Sequence, residues 1–316
     1  MSQSLIVNIS EEWSNIMNSR HMDLFLIPTV LLTSVTLLVN PVLFLCILCF
    51  PSLRKENRYL LLANMLIADV LFLTINLAVV SCNTVGKDMH HILCEFMLFS
   101  TVTTYSCSLL TVTLMVVDTY VAVRWPLRYN EILPPCRARK IIVALWVLSA
   151  VCPMSLLVMF DVFITEQQSR RVCLVLITLQ SSNQNMTTRI HLYFIIAVSL
   201  CTALIVYCYV RLYIITKTSG IWQNRYSRAR MTLLAHALLL MMYFTPALVF
   251  GVELALLQGH TVSVPAVWIN LVNMSVLMLL PRFCTPYLYI LRYREIYKTL
   301  QQVLWKKRHL SQITAA

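Results

Sequence analysis

The stretch that decides the fold is "LMVVDTYVAVRWPLRY", residues 114–129, in which an apolar run stops at Asp118. About twenty residues with almost no charge precede that acid, which is the length of a membrane-spanning helix. Tyr120, Trp125 and two arginines follow, and such side chains suit the interface between lipid and water. Pro126 lacks a backbone N–H and ends the helix. The pattern predicts a helix that reaches the cytoplasmic membrane surface at Asp118.

The composition extends this interpretation to the whole chain, because 59% of the 316 residues are hydrophobic and only 12% are charged. Soluble domains carry about 25% charged residues. Seven mostly apolar runs are each long enough to cross a bilayer as a helix. They cover residues 24–50, 59–81, 94–121, 141–163, 191–216, 230–257 and 264–291. The sequence therefore predicts an all-α membrane protein, a bundle of seven transmembrane helices.

Lysine and arginine divide unequally between the two sets of loops, with 19 on one side and 5 on the other. The positive-inside rule then places the N-terminus outside and the C-terminus in the cytoplasm. The positive-inside distribution of lysine and arginine therefore explains the net charge of +12, and no nucleic-acid partner is expected. The glycosylation triplets at Asn8 and Asn185 fall on the predicted outer side, so both asparagines are candidate glycosylation sites.

Three segments follow from this topology. Residues 1–23 form an extracellular N-terminal segment, residues 24–291 the seven-helix domain, and residues 292–316 a cytoplasmic tail. The tail begins with a predicted amphipathic helix that lies on the inner membrane surface. Its apolar side chains recur at helical spacing at Ile296, Leu300, Val303 and Leu304.

Two cysteines lie where disulfides persist, on the oxidising side of the membrane. Cys94 begins the third span, and Cys173 lies in the loop between the fourth and fifth spans. We expect a Cys94–Cys173 disulfide, with Cys82 as the competing partner.

Several motifs occur in a fixed order along these spans. They are "LIADVLF" around Asp69, Cys94, "DTY" with Thr119 25 residues after Cys94, Trp146, "YFTP" at 243–246 and "TPYLY" at 285–289. Together they resemble the rhodopsin-like G-protein-coupled receptors over residues 24–305. Residues 216–234 and 277–294 are similar to one orphan receptor in particular, and fish odorant receptor-like proteins share part of the pattern.

The resemblance implies an orphan receptor in the plasma membrane that binds a ligand from outside and signals to a heterotrimeric G protein. A receptor dimer is possible for such a fold. Two alternatives stay open: an odorant-type chemosensory receptor, or a non-signalling seven-helix partner of another receptor. Neither an enzyme nor a transporter is expected, and no metal or other cofactor is predicted, because no span carries paired histidines at metal-binding spacing.

Asp69 lies midway along the second span and Arg282 lies within the seventh at about the same depth, where an ionisable group is expensive. The resemblance implies that Asp69 and Ser108 belong to a sodium site. Arg282 lies four residues before Pro286, where the family has a small polar residue. Because opposite charges buried at one depth should pair, we expect Arg282 to replace sodium beside Asp69. A backbone carbonyl or another residue is the alternative partner of Arg282.

The resemblance also identifies the switch positions and the G-protein interface. They are Asp118, Thr119, Tyr120, Phe244, Pro246, Thr285, Pro286 and Tyr289. Thr119 replaces the family's arginine, which pairs with the neighbouring aspartate at rest and meets the G protein when active. Phe244 and Thr285 replace tryptophan and asparagine. Three altered positions predict weakened coupling, and Asp118 is left to pair with Arg124 or with the basic third inner loop.

The family's ligand pocket opens outwards among the third, fifth, sixth and seventh spans. The corresponding candidates are Leu98, Thr101, Tyr105, Leu248, Gly251, Glu253, Ser275 and Leu279. Thr101 stands where amine receptors have an aspartate, and Leu279 where opsins have the retinal-binding lysine. Apart from Glu253 this lining is neutral, so we expect a neutral or apolar ligand, a small molecule or a peptide.

Overall fold

The protein is described by a computed structural model covering residues 21–85, 90–163, 173, 184–218, 227–258 and 264–292. Seven long helical segments run through these ranges. They are α1 (His21–Cys49), α2 (Asn57–Val85), α3 (His91–Arg124), α4 (Pro135–Phe163), α5 (Gln184–Thr218), α6 (Ser227–Gln258) and α7 (Val264–Val272, Asn273–Leu277 and Leu280–Arg292). The predicted tail helix, Asn8 and most of the third inner loop lie outside the described residues, and Asn185 lies in the first turn of α5.

The helices are longer than the apolar runs that predicted them. α3 begins three residues earlier and ends three residues later than the predicted span 94–121. Helical hydrogen bonds need no lipid, so a helix continues into the interface, where water and head groups solvate its polar side chains. α3 ends where Pro126 predicted, and the Trp125 N–H donates to the Val121 carbonyl at 2.9 Å.

Within the described residues, five of the long helices are long and apolar enough to cross a membrane. Their qualifying segments are Thr29–Cys49, Asn57–Asn83, Ile92–Arg124, Leu192–Ile215 and Trp268–Ile290. α6 has a shorter apolar stretch, Ala237–Glu253. The protein is therefore an all-helical membrane protein with at least these five candidate spans.

The distribution of polar side chains is the reverse of that in a soluble protein. Large apolar side chains such as Leu38 on α1 and Leu200 on α5 are about two-thirds exposed, at 72% and 66%. Asn40, Asn64 and Asp69 are buried. Exposed apolar patches of this kind mark contact with lipid. The bundle therefore presents hydrocarbon outwards and keeps its polar groups inside.

α3 occupies the middle of the bundle, where it packs against α2, α4, α5 and α6. α7 packs against both α1 and α6, so the helices close into a ring around the inner face of α3. One continuous apolar core joins Leu66 and Phe72 of α2, Val112 of α3 and Leu279 of α7. α2 is also tied to α4 by a hydrogen bond of 2.8 Å from the Trp146 indole N–H to the side-chain oxygen of Asn64.

α7 is not a regular helix. A π-helical turn covers Asn273–Leu277, and Pro286 lies inside the following α-helical segment. The Met278 N–H donates to the Asn273 carbonyl at 2.9 Å, the five-residue spacing of a π turn. Such turns insert an extra residue and occur frequently at functional sites. Here Asn273 and Ser275 are both buried in the bundle.

A disulfide joins Cys94 of α3 to Cys173, with the two Cα atoms 5.7 Å apart. Asn83 of α2 holds the same loop residue by two hydrogen bonds. Its side-chain amide donates to the Cys173 carbonyl at 3.0 Å, and its oxygen accepts from the Cys173 N–H at 2.9 Å. Cys82, the competing partner, is a free thiol packed beside the disulfide. The loop is thus attached to both α2 and α3.

Cys94→Ser and Cys173→Ser should each lower the amount of folded protein at the cell surface, since losing a native disulfide typically costs about 2–5 kcal/mol. The double variant should be no worse than either single one, because both remove the same bond. Surface immunostaining and the melting temperature of the purified protein measure this. Cys82→Ser is the matched control and should behave as the natural protein. Equal damage from Cys82→Ser would contradict the pairing.

Candidate functional site

A cluster of buried polar side chains lies at the centre of the bundle, around Asp69 of α2. Asp69 is 0% exposed. The Ser108 hydroxyl of α3 donates to its Oδ1 at 3.1 Å, and the Tyr243 hydroxyl of α6 donates to its Oδ2 at 2.7 Å. The hydroxyls of Tyr243 and Thr285 lie 3.1 Å apart, which adds α7 to the cluster. One carboxylate thereby connects four helices.

Arg282 of α7 also enters this cluster and is 0% exposed. Its Nε lies 3.4 Å from Oδ1 of Asp69, and its Nη1 donates to the backbone carbonyl of Met278. The guanidinium carbon lies 3.5 Å from the centre of the Phe72 ring, with the rings of Tyr105 and Tyr243 at 5.5 and 5.8 Å. Both partners considered from the sequence, the aspartate and a backbone carbonyl, are therefore present.

The energetics of this pair are those of opposite charges removed from water. Each ion alone would cost several kcal/mol to bury, and breaking such a pair costs about 3–5 kcal/mol. Asp69 receives two hydroxyl hydrogen bonds besides the guanidinium, and Arg282 faces three aromatic rings. Cation–π contacts contribute about 2 kcal/mol where water is excluded. The guanidinium is an internal cation that occupies the place beside the carboxylate.

Tyr243 is the residue of this cluster that the sequence analysis did not assign to the site. It is 0% exposed, and its backbone carbonyl accepts a hydrogen bond of 2.9 Å from the Tyr105 hydroxyl. The sequence contains an indication of this role, since a tyrosine within an apolar run usually has a hydrogen-bond partner for its hydroxyl. Its neighbour Phe244, the position the resemblance pointed to, is buried in the apolar core.

Near the C-terminal end of α3, Asp118 has a partner that the sequence analysis did not consider. The Tyr129 hydroxyl, in the short helix Tyr129–Ile132, donates to Oδ1 of Asp118 at 2.6 Å. The Asn57 amide lies 3.3 Å from the same hydroxyl and also donates to the Leu133 carbonyl. Burial, together with the Asp118 carboxylate, raises the pKa of Tyr129 above its usual range. Tyr129 therefore remains a neutral donor at physiological pH.

Thr119, at the position of the family's arginine, makes its hydrogen bond within its own helix. Its hydroxyl donates to the Met115 carbonyl at 2.8 Å. Tyr120 is nearly buried, with its ring edge-on to Trp125 at 6.1 Å and to Tyr207 of α5 at 6.3 Å. The C-terminal end of α3 is thus held by a tyrosine and by aromatic packing.

The remaining switch candidates lie on the inner faces of α6 and α7. Pro246 and Pro286 lie inside these helices. Tyr289 is 1% exposed, and its hydroxyl lies 3.2 Å from the Met115 sulfur of α3. The C-terminal half of α7 therefore contacts α3 directly.

The ligand-pocket candidates lie in different environments. Thr101 and Ser275 are buried and donate to carbonyls of their own helices, and Tyr105 and Leu279 belong to the core. Leu98 is half-buried beside the disulfide, and Gly251 lies against the Phe194 ring. Glu253 is buried among amides.

Leu248 does not join these candidates. It is 59% exposed and continues an outward-facing stripe with Met241 and Val252. Residues four and seven apart lie on one helix face, and this face of α6 is the one that the bundle turns outwards. The expectation that Leu248 lines an interior pocket is wrong for this reason.

With this geometry in place, comparison with known proteins identifies the family. Residues 39–263 match the 7 transmembrane receptor (rhodopsin family). The chain belongs to this family. Over 287 residues it is 32% identical to the human protein "Probable G-protein coupled receptor 148", covering 90% of this chain and 83% of that receptor. The family expected from the motifs is confirmed, and the chain is a multi-pass membrane protein of the receptor family.

For a receptor of this family, the Asp69–Arg282 pair predicts indifference to sodium. The natural protein should melt at the same temperature in sodium and potassium chloride, because the guanidinium already occupies the place beside Asp69. Arg282→Ser should lower stability by about 3–5 kcal/mol. Sodium should then restore part of the loss, by about 2.7 kcal/mol at one hundred times its Kd. Thermal melts in the two salts at equal ionic strength measure both effects.

The control for this experiment is Asp69→Asn in the Arg282→Ser background, which should abolish the sodium response. Sodium stabilisation of the natural protein that disappears in Asp69→Asn would contradict the assignment of Arg282 as the internal cation.

Proposed function

We propose that this chain is a plasma-membrane receptor of seven spanning helices that binds a ligand at its outer end and activates a heterotrimeric G protein at its inner end. In this topology the N-terminus lies outside and the C-terminus in the cytoplasm. Support comes from the family, from the five candidate spans, and from a disulfide-anchored loop at one end with basic residues concentrated at the other.

The observation that carries this proposal is the central cluster, because it links the helices that must move together. Tyr243 bonds α6 to Asp69 of α2, and Arg282 of α7 pairs with the same carboxylate. The Thr285 hydroxyl of α7 lies within hydrogen-bond distance of the Tyr243 hydroxyl. A ligand that contacts the outer halves of α6 and α7 changes the relative energies of the arrangements open to this cluster. Differential binding of that kind is what shifts a conformational equilibrium.

The inner end is the basis for expecting weak coupling in the proposed receptor. Asp118 is held by Tyr129, and the Thr119 hydroxyl is satisfied within α3. Neither residue presents the positive charge that the family's arginine offers to a G protein. The same observation supports a second candidate function, that of a non-signalling partner of another receptor.

Thr119→Arg should raise ligand-free second-messenger output at matched surface expression. The new guanidinium is adjacent to Asp118 and supplies the missing contact to the G protein. We expect a rise of about fivefold or more, since allosteric couplings are typically 1–3 kcal/mol. Thr119→Ala, which removes the hydroxyl without adding charge, is the matched control and should signal as the natural protein does.

The two candidate functions differ in the output of the natural protein. A signal that rises with surface expression of the natural chain supports a coupling receptor with Thr119 in place. A signal from Thr119→Arg alone supports the non-signalling partner. Silence of both variants, together with failure of the purified Thr119→Arg protein to bind a G-protein α subunit, would contradict G-protein coupling.

A further inference from the structure

Another buried acid, Glu253, lies in α6 away from the central cluster. It is 3% exposed and lies ten residues beyond Tyr243, about 15 Å along the helix axis. The last residue of α6 is Gln258, so Glu253 is only about 7.5 Å from that end of the helix. In the proposed topology this is the outer end. The carboxylate therefore lies at the depth that an extracellular ligand reaches.

Two asparagines of α7 hold this carboxylate. The Asn270 amide donates to Oε2 of Glu253 at 2.9 Å. The Asn273 amide lies 3.5 Å from Oε1 and 3.4 Å from the carbonyl of Pro246, and it donates to both. The two asparagines are three residues apart and share one helix face. Amide donors orient the carboxyl group, yet they carry no charge that would compensate it when it is ionised.

The oxygen of Asn273 is left without a partner. The residue is 0% exposed, and its Oδ1 accepts no hydrogen bond in the described part of the chain. The amide orientation is determined by its surroundings, because a flip would place Oδ1 against the oxygens of Glu253 and Pro246. An unsatisfied buried acceptor is unfavourable, so this oxygen requires a donor from elsewhere.

Within the described ranges, no lysine or arginine of the protein forms an ion pair with Glu253. The ion pairs found there are Arg58–Glu56 and Asp69–Arg282, and neither includes Glu253. Asp69 and Glu253 thus differ in kind, because one acid has an internal cation and the other has only neutral amides. The spare lone pairs of Glu253 and the oxygen of the Asn273 amide, whose nitrogen contacts Glu253, are acceptors that a positively charged donor would complement.

We propose that Glu253, Asn270 and Asn273 anchor the cationic end of the receptor's ligand, a protonated amine whose remainder is apolar. The proposal rests on the proposed function as a ligand-binding receptor. An ammonium group offers three N–H donors, which suits one carboxylate and one amide oxygen. Calcium would need six to eight oxygen ligands. The site is built jointly by α6 and by the π turn that begins at Asn273.

The surroundings favour an organic amine over a bare ion. Phe250 lies one turn before Glu253 on α6, and its ring is edge-on to that of Phe194 with 5.5 Å between the centroids. The Phe194 ring also lies 3.5 Å from the position that a Cβ of Gly251 would occupy. These aromatic groups provide apolar contact near the acid. A charged end thus replaces the neutral ligand expected from the sequence, where Glu253 was considered without its amide partners.

The test uses the purified full-length receptor and two small probes of equal shape. Phenethylammonium carries the positive charge, and 2-phenylethanol is its neutral counterpart. Melting temperatures are measured over a concentration series of each probe at constant ionic strength. Phenethylammonium should stabilise the natural protein, and 2-phenylethanol should bind at least about tenfold more weakly, the ratio that corresponds to 1.4 kcal/mol.

Glu253→Gln should reduce the affinity for phenethylammonium by about tenfold or more, while affinity for 2-phenylethanol stays the same. Glu95→Gln is the matched control, since it removes one partly buried carboxylate from the outer end of α3 and lies outside the cluster. Glu95→Gln should leave both affinities unchanged. Asn273→Ala removes the unpartnered oxygen and should weaken phenethylammonium binding while Glu253 remains in place.

Three results would overturn the proposal: no stabilisation of the natural protein by phenethylammonium, equal stabilisation by the alcohol, or equal amine affinity in the natural, Glu253→Gln and Asn273→Ala proteins. If Glu253→Gln does not fold, Asn273→Ala decides alone. The measurement requires no G protein, so its failure is distinguishable from failure of coupling. A chain that signals after Thr119→Arg yet ignores the amine would retain the receptor function and lose only the ligand class.

Discussion

A carboxylate and a guanidinium, both removed from water, face each other at the centre of this bundle. The surrounding residues supply only part of what the guanidinium needs, because its Nε and Nη2 donate no hydrogen bond within the described residues. Burying either charge alone in an apolar interior is strongly unfavourable, so Asp69 and Arg282 must stay together whenever both are ionised. The carboxylate needs further donors, which Ser108 and Tyr243 supply from two other helices. The guanidinium needs a face to lie on, which Phe72 supplies. The pairing therefore determines how α2, α3, α6 and α7 approach one another.

An internal cation differs from a dissolved one in what controls its position. A sodium ion leaves by diffusion, and its occupancy follows the salt concentration outside. The Arg282 guanidinium is attached to α7, so its distance from Asp69 depends on where that helix lies. Its Nη1 is bonded to Met278, one turn earlier on the same helix, which restricts the side chain further. The contact thereby connects electrostatic energy at the centre of the receptor to the placement of α7.

Much of this arrangement follows from periodicity and charge, and the rest depends on packing. The spans, the depth shared by Asp69 and Arg282, and the helix end before Pro126 are local properties of the chain. The roles of Tyr243, Tyr129 and Asn83 are not local properties, because each role depends on which face of a neighbouring helix lies opposite the residue. The partner of Asp118 illustrates this, since Tyr129 reaches it from a one-turn helix that no apolar pattern marks. Leu248 is the opposite case. The sequence gives its position along α6, but it does not give the helix face that carries it, and that face is turned away from the bundle.

Asp69 and Glu253, two of the buried acids in the described part of the chain, show how one chemical group supports two different tasks. Asp69 lies at full burial with a cation from its own chain, so its charge is compensated before any ligand arrives. Glu253 lies within two turns of a helix end and accepts only from neutral amides, so the carboxyl group is oriented but has no described cation to compensate it when it is ionised. In a low-dielectric interior an oriented and uncompensated charge attracts a cation more strongly than the same charge in water does. Compensation at the centre fixes the helices, and its absence near the outer end leaves an interaction for a molecule that enters from outside. Because α6 and α7 contribute to both groups, a cation bound at Glu253 acts on the same helices that Tyr243 and Arg282 join at the centre.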